Sequence, residues 1–239
     1  MGKVEEFLKK SSEIMKRSLA GVDYDKFEMK NISFDYESLM NLVPYNINEI
    51  IKIQREYKVG GTPLYELENI NKIVKKLSKP GFGAKILLKD EANNASGSFK
   101  SRRASLSIFH AKKLGYEGVV AETSGNYGAA VASQAAQMNL KAIIVQEVFD
   151  SKWIGQPEIL EKGRACEAYG AEVWQMTVGP ELFYWTLVIL NETNYFNASL
   201  YTPFAIKGIE TLGYEIANDV KEKYGKFPDY VLTTHAGGG

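Results

Sequence analysis

The sequence predicts an α/β fold built on parallel strands, and three observations carry that expectation. From Leu87 onward, short β-branched runs at 118–121, 142–146, 172–176 and 230–233 alternate with longer stretches of helical periodicity. The intervening helices have legible ends. Such an alternation implies right-handed crossovers between neighbouring strands. In sheets of this kind ligands sit beyond the carboxyl ends of the strands, which directs attention to the loops after Ala121 and Thr234.

Along the chain, residues 1–58 show helical periodicity (Val4, Phe7, Leu8, then Ile47, Ile50, Ile51) around a polar middle, and they read as a helical N-terminal extension. The lysine-rich start lacks the apolar segment and cleavage site of a secretory signal. Pro157 opens a helix over 156–170 that Gly170 can close in the left-handed conformation, just before the run at 172. Ile206, Ile209, Leu212, Ile216 and Val220 form one stripe of a last helix that ends near Gly225, ahead of Pro228.

Composition narrows the function classes. With 239 residues, 45% hydrophobic and 24% charged, the chain can bury one or two cores. Its 29 basic and 29 acidic residues cancel, so no net field favours nucleic acid or an anionic membrane, and a small-molecule partner is expected. No run approaches the roughly 18 apolar residues of a membrane span, and a cytoplasmic location is expected. The single Cys166 lies in the 156–170 helix, where a lone cysteine most often fills space.

Three stretches carry chemistry. The first ends a strand at Leu88-Lys89, passes through the small-residue loop Ala95-Ser96-Gly97-Ser98-Phe99, and opens a helix at Lys100. A lysine that condenses with an aldehyde needs such access, and the helix N-terminus offers amides to an anion. A solvated surface lysine is the plain alternative. In the second, Thr123-Ser124-Gly125-Asn126-Tyr127 lies between a strand and an alanine-rich helix, where hydroxyls, an amide and turning backbone can converge on a carboxylate or phenolic oxygen. Helix capping by Ser124 or Asn126 would explain the same residues. In the third, Gly237, Gly238 and Gly239 follow the 230–233 run and can present successive amides to a phosphate; a terminal linker is the alternative.

Taken in order and spacing, Ser96-Gly97-Ser98-Phe99-Lys100, Ser124-Gly125-Asn126 and Gly237-Gly238-Gly239 resemble the tryptophan-synthase-like (fold type II) pyridoxal-phosphate enzymes, the group containing threonine synthase and threonine dehydratase. The resemblance runs from Gly60 to the end. It implies a tryptophan synthase β subunit-like α/β fold, with 59–100 and 200–239 as part of a large cofactor domain and 101–199 as a smaller α/β domain. It implies pyridoxal 5'-phosphate as cofactor and Lys100 as its Schiff-base lysine and catalytic base. Asn126 would contact the cofactor's phenolic oxygen, and Gly237, Gly238 and Gly239 would hold its phosphate. The turn of Thr123, Ser124, Gly125 and Tyr127 would hold the substrate carboxylate. Tyr127 or His235 could act as a second acid or base, and each could equally be lining.

Two departures stand out. Ala95 and Ser96 replace the usual proline and threonine, and Ser101 replaces an often acidic residue; neither change removes a group the lysine needs. The hydroxyl expected to face the pyridine nitrogen, with the remainder of the large domain, would lie beyond Gly239. Within the group, Gly60-Gly61-Thr62-Pro63-Leu64-Tyr65, the 155–166 stretch and Thr234-His235-Ala236 resemble the β subunits of coenzyme A-using thiolases. That implies an amino-acid substrate, coenzyme A, a small α subunit and a homo-oligomer of the β subunit. Threonine synthase, an ammonia-lyase and a non-catalytic fragment are the alternatives left open.

Overall fold

The computed structural model describes residues 3–30, 33–199 and 201–234. The chain starts with helices α1 (Lys3–Lys9) and α2 (Ser11–Ser18), a small antiparallel ribbon of β1 (Glu28–Met29) and β2 (Ser33–Phe34), then α3 (Tyr36–Met40) and α4 (Ile47–Glu56). A capping box opens α4: Asn46 Oδ1 accepts from the Asn48 and Glu49 amides while the Glu49 carboxylate accepts from the Asn46 amide. Next come β3 (Leu64–Glu66), α5 (Glu68–Leu77) and β4 (Leu87–Lys89), with β3 and β4 paired antiparallel.

The remaining elements alternate. They are α6 (Lys100–Lys113), β5 (Gly118–Thr123), α7 (Asn126–Gln137), β6 (Lys141–Phe149), α8 (Pro157–Ala168), β7 (Glu172–Thr177), α9 (Glu181–Glu192), β8 (Tyr195–Asn197) and α10 (Pro203–Tyr224). Four of them form a parallel sheet in the order β7-β6-β5-β8. Its central strands are buried on both faces, which parallel strands covered by helices require. Val119, Ala121 and Ile144 face a core with Ala104 of α6 and Ala130 of α7, while Val120, Ile143 and Val145 face Leu182, Leu187 and Leu190 of α9. The alternation of side chains along β5 and β6 therefore builds two layers.

The runs expected at 118–121, 142–146 and 172–176 are strands, and the expected helix ends hold: Gly170 and Gly225 both take left-handed φ, at 86° and 73°. The run at 230–233 is a correction. It has no ladder partner among the described residues, and Tyr230, Val231 and Leu232 stand exposed. A strand exists only where a neighbour satisfies its backbone, which β-branched composition alone cannot supply. Conversely, the three-residue β8, too short for a periodicity signal, is a strand because β5 offers an edge. The expected N-terminal extension is largely helical and packs into the fold: Leu19, Leu39, Val43, Ile50 and Ile53 share the core formed by α6 and α7.

Candidate active site

Strand order places the site. From β5 the chain proceeds outward through β6 to β7, then returns through α9 to set β8 on the other side of β5. The loops after β5 and β8 thus diverge at a topological switch point, where a crevice opens beyond the strand ends. Short connections on both sides of β5 reverse the chain twice, so the N-terminal ends of α6 and α7 lie at this same carboxyl end. Lys100 heads one helix and Asn126 the other.

The turn before α7 distributes its hydroxyls unequally. Thr123 Oγ1 accepts from the Gly125 and Gly128 amides, each at 3.0 Å, and so satisfies amides at the start of α7. Neither Ser124 nor Asn126 caps the helix; both are exposed, and their side chains make no hydrogen bond among the described residues. Tyr127 is buried, and its hydroxyl donates to Ala198 O at 2.6 Å, which ties the turn to the loop after β8 across the switch point. Thr123 and Tyr127, expected among the substrate contacts, thus have side chains engaged inside the protein. Gly128 permits the close approach: a Cβ there would lie 2.5 Å from Thr123 Cγ2 and 2.8 Å from Ile144 Cγ2.

Lys100 is half-buried, with Nζ 4.8 Å from the centroid of the Phe99 ring and no hydrogen bond or ion pair among the described residues. Burial first, then the charge of Arg103 one turn along α6, lowers its pKa below the ordinary lysine value. Arg103 is itself buried and electrostatically linked to Tyr127, so the two helix starts adjoin in space. Nearby, the Glu122 carboxyl accepts from Ser199 Oγ at 3.2 Å, and burial raises its pKa.

Sequence reasoning missed the polar network behind the lysine loop. The guanidinium of Arg102 is fully buried and forks onto Glu91 at 2.7 and 2.8 Å, with a further bond to Glu215 at 2.8 Å. Lys89 joins Glu215 at 3.2 Å and Asp219 at 2.7 Å. Burial alone would raise the Glu215 pKa, but the hydrogen bond from Arg102, the Gly61 amide and the two cations outweigh it and hold the carboxyl down at about 2. The signal that could have found this network is the pair of charge groups, Lys89, Asp90 and Glu91 before the small-residue loop and Arg102 and Arg103 after it.

Other candidates fall elsewhere. Cys166 is buried in α8, and burial pushes its thiol up to about 11, so it remains protonated and suits packing. His235 and the proposed phosphate glycines Gly237, Gly238 and Gly239 lie outside the described residues. Among the described residues no cluster of His, Cys, Asp or Glu could hold a metal, and no helix is long and apolar enough to cross a membrane.

The remaining groups fit pyridoxal phosphate. The buried Ser98 Oγ, two residues before Lys100, has no hydrogen-bond partner among the described residues. Ser124 and Asn126 are open, and a Cβ at Gly97 or Gly125 would meet nothing within 4 Å. An amine biased toward its neutral form, free hydroxyls, an amide and unobstructed backbone match an aldehyde, a phenolic oxygen and a carboxylate.

Comparison with known proteins defines the class. The family model of pyridoxal-phosphate dependent enzymes matches residues 55–239, and the chain belongs to that family. It is 64% identical over 228 residues, 95% of its length, to a 2-amino-4-ketopentanoate thiolase beta subunit from an unknown prokaryotic organism. It is 60% identical over 232 residues, 97% of its length, to a protein of the same description from Acetoanaerobium sticklandii. These matches cover 48% and 49% of those relatives, so the chain spans about half the length of the curated relatives it matches. Among solved structures, a threonine deaminase from T.th. superposes with a TM-score of 0.60 at 25% identity, over 76% of this chain and 53% of that one. The fold is therefore type II of the pyridoxal-phosphate enzymes, and pyridoxal phosphate is the family's cofactor.

Proposed function

We propose that this chain carries the catalytic lysine and the substrate turn of an acyl-transferring thiolase, one that cleaves 2-amino-4-oxopentanoate with coenzyme A into acetyl-CoA and alanine during ornithine degradation. The observation that carries this reading is the 60–64% identity over nearly the whole chain with two thiolase beta subunits. Their description as beta subunits supports a small α partner for this protein too, and we place a homo-oligomer of the β subunit beside it.

Pyridoxal phosphate, when bound, supplies an electron sink next to the amino-bearing carbon of the substrate. The protein's own groups do the rest. Asn126 would donate to the cofactor's phenolic oxygen, and Gly237, Gly238 and Gly239 would hold its phosphate. Ser124 Oγ and the free amides at the start of α7 would receive the substrate carboxylate, with Gly125 giving it access and the Thr123 and Tyr127 bonds keeping the turn in place. Lys100 would take a proton from the α-carbon: its lowered pKa leaves more of the amine neutral near pH 7 than an exposed lysine would have. In the thiolytic step the coenzyme A sulfur bonds to C4 while the C3–C4 bond breaks; its electron pair stays on C3, which takes up a proton to complete the methyl group of alanine.

The test uses the complete protein with its α partner. Acetyl-CoA formed from 2-amino-4-oxopentanoate, in a one-to-one ratio with alanine, supports the reading. Absence of both products alongside threonine deamination would replace it with an ammonia-lyase, a reading supported by the superposition on a threonine deaminase.

A further inference from the structure

The loop between β4 and α6 contains Lys100's approach, yet its small residues have little packing of their own. Ala92, Asn93, Ala95 and Gly97 are exposed. What closes the loop is a pair of residues at its two ends. Glu91 begins it, and Arg102, in the first turn of α6, follows it. The Arg102 fork onto both Glu91 oxygens, at 2.7 and 2.8 Å, joins those ends directly. Glu91 is fixed further by Thr62 Oγ1 at 2.6 Å and by Asn94 Nδ2 at 2.9 Å, and Asn94 Oδ1 in turn accepts from the Gly60 amide at 2.9 Å. One nitrogen of that fork, Nη2 of Arg102, also reaches Glu215 at 2.8 Å, and Nη1 reaches Thr211 Oγ1 at 3.2 Å, both on α10, while the Arg102 backbone carbonyl accepts from Gln54 Nε2 at 3.0 Å.

Residues two apart on a helix point to nearly opposite sides, so the Arg102 side chain faces α10 and Glu91 while Lys100 faces away from them. Arg102 therefore cannot touch a substrate held by Lys100. We propose that Arg102 is a positioning residue for Lys100, acting through its fork onto Glu91 to hold the lysine loop closed; the inference rests on the reading of Lys100 given above. The fork is the operative feature, because a planar guanidinium can engage both carboxylate oxygens at once and an ammonium cannot. Lysine at 102 keeps the charge and loses the closure.

The experiment titrates the complete, cofactor-stripped protein with pyridoxal phosphate and follows the cofactor's visible absorption band against pH. Variants are Arg102→Lys, Glu91→Gln and Lys100→Ala, with circular dichroism and thermal melts to establish folding. Lys100→Ala should abolish the band; if it does not, the reading of Lys100 fails, whatever Arg102 does. If it does, folded Arg102→Lys and Glu91→Gln proteins should bind the cofactor at least tenfold more weakly and shift the pH midpoint of the band. A purely structural network would lower the melting temperature and leave that midpoint in place, which would overturn the proposal. Should Arg102→Lys and Glu91→Gln both fail to fold, Thr62→Val, which removes the 2.6 Å bond to Glu91 and the 3.3 Å bond from Arg102 Nη2 and keeps the Arg102–Glu91 fork, decides the matter: a shifted midpoint supports the clasp and an unchanged one overturns it.

Discussion

At the scale of the residue, one hydroxyl releases two others. Thr123 Oγ1 takes up the amides of Gly125 and Gly128, and that leaves Ser124 and Asn126 without structural duty at the head of α7. From the sequence alone, Ser124 or Asn126 serving as the cap is an equally good account. The choice turns on where the strand ends and the helix begins, a matter of one residue. Replacing Thr123 with valine should remove the cap and cost about 1 kcal/mol, seen as a lower melting temperature. Asn126→Ala should leave that temperature unchanged and displace the cofactor's visible band without abolishing it, since its amide has no partner to lose among the described residues. Lys100→Ala should remove the band altogether, and a retained band would remove Lys100 from the reaction.

At the scale of the element, glycines set how closely helices approach. Gly128 lets α7 lie against β5 and β6, and Gly208 lets α10 cross α6 at the Arg102 carbonyl, where Gln54 Nε2 bonds both Arg102 O at 3.0 Å and Gly208 O at 2.8 Å. Gly128→Ala would press a methyl group into Thr123 and Ile144. The expected cost is about 1–3 kcal/mol in a denaturant titration, together with weaker cofactor binding, because the turn before α7 must shift with the helix. The strands show the limits of pattern. Those at 118, 142 and 172 announce themselves because each outlasts β8 and stands between helical stretches, whereas β8 is made by its neighbour and the run at 230–233 finds none among the described residues.

For the whole molecule, the buried charges joining β4, α6 and α10 govern acid stability. Glu91 and Glu215 both have folded-state pKa values below their ordinary one, Glu215 at about 2. A depressed carboxyl contributes stability that is present above its unfolded pKa and lost as pH falls toward the folded value. Cooperative unfolding is therefore expected between about pH 4.5 and pH 2, followed by circular dichroism, and Glu215→Gln should flatten that dependence. His110 differs in that its neutral form is the one the fold favours. Burial, and then the charge of Lys113, lowers its pKa to about 4, so the folded state keeps the neutral ring that hydrogen-bonds Tyr45 and stacks on Phe204. Its contribution is present above its unfolded pKa near 6.5 and fades as pH drops toward 4.

The sequence by itself determined the fold class, the three longer strands, the helix ends at Gly170 and Gly225, and the ordered set of Lys100, Ser124 and Asn126 as candidates. These are local properties: side-chain period, a residue's permitted φ, and the chemistry of a short motif are written along the chain. Only the tertiary structure decided which hydroxyl caps and which stays open, that β8 returns beside β5 to make a topological switch point, and that Arg102 bonds Glu91 and Glu215 at once. Each depends on groups brought together from distant positions, 11 residues apart for Arg102 and Glu91 and 113 for Arg102 and Glu215. A buried charge is stable only where such partners converge, and one-dimensional spacing carries no record of that convergence.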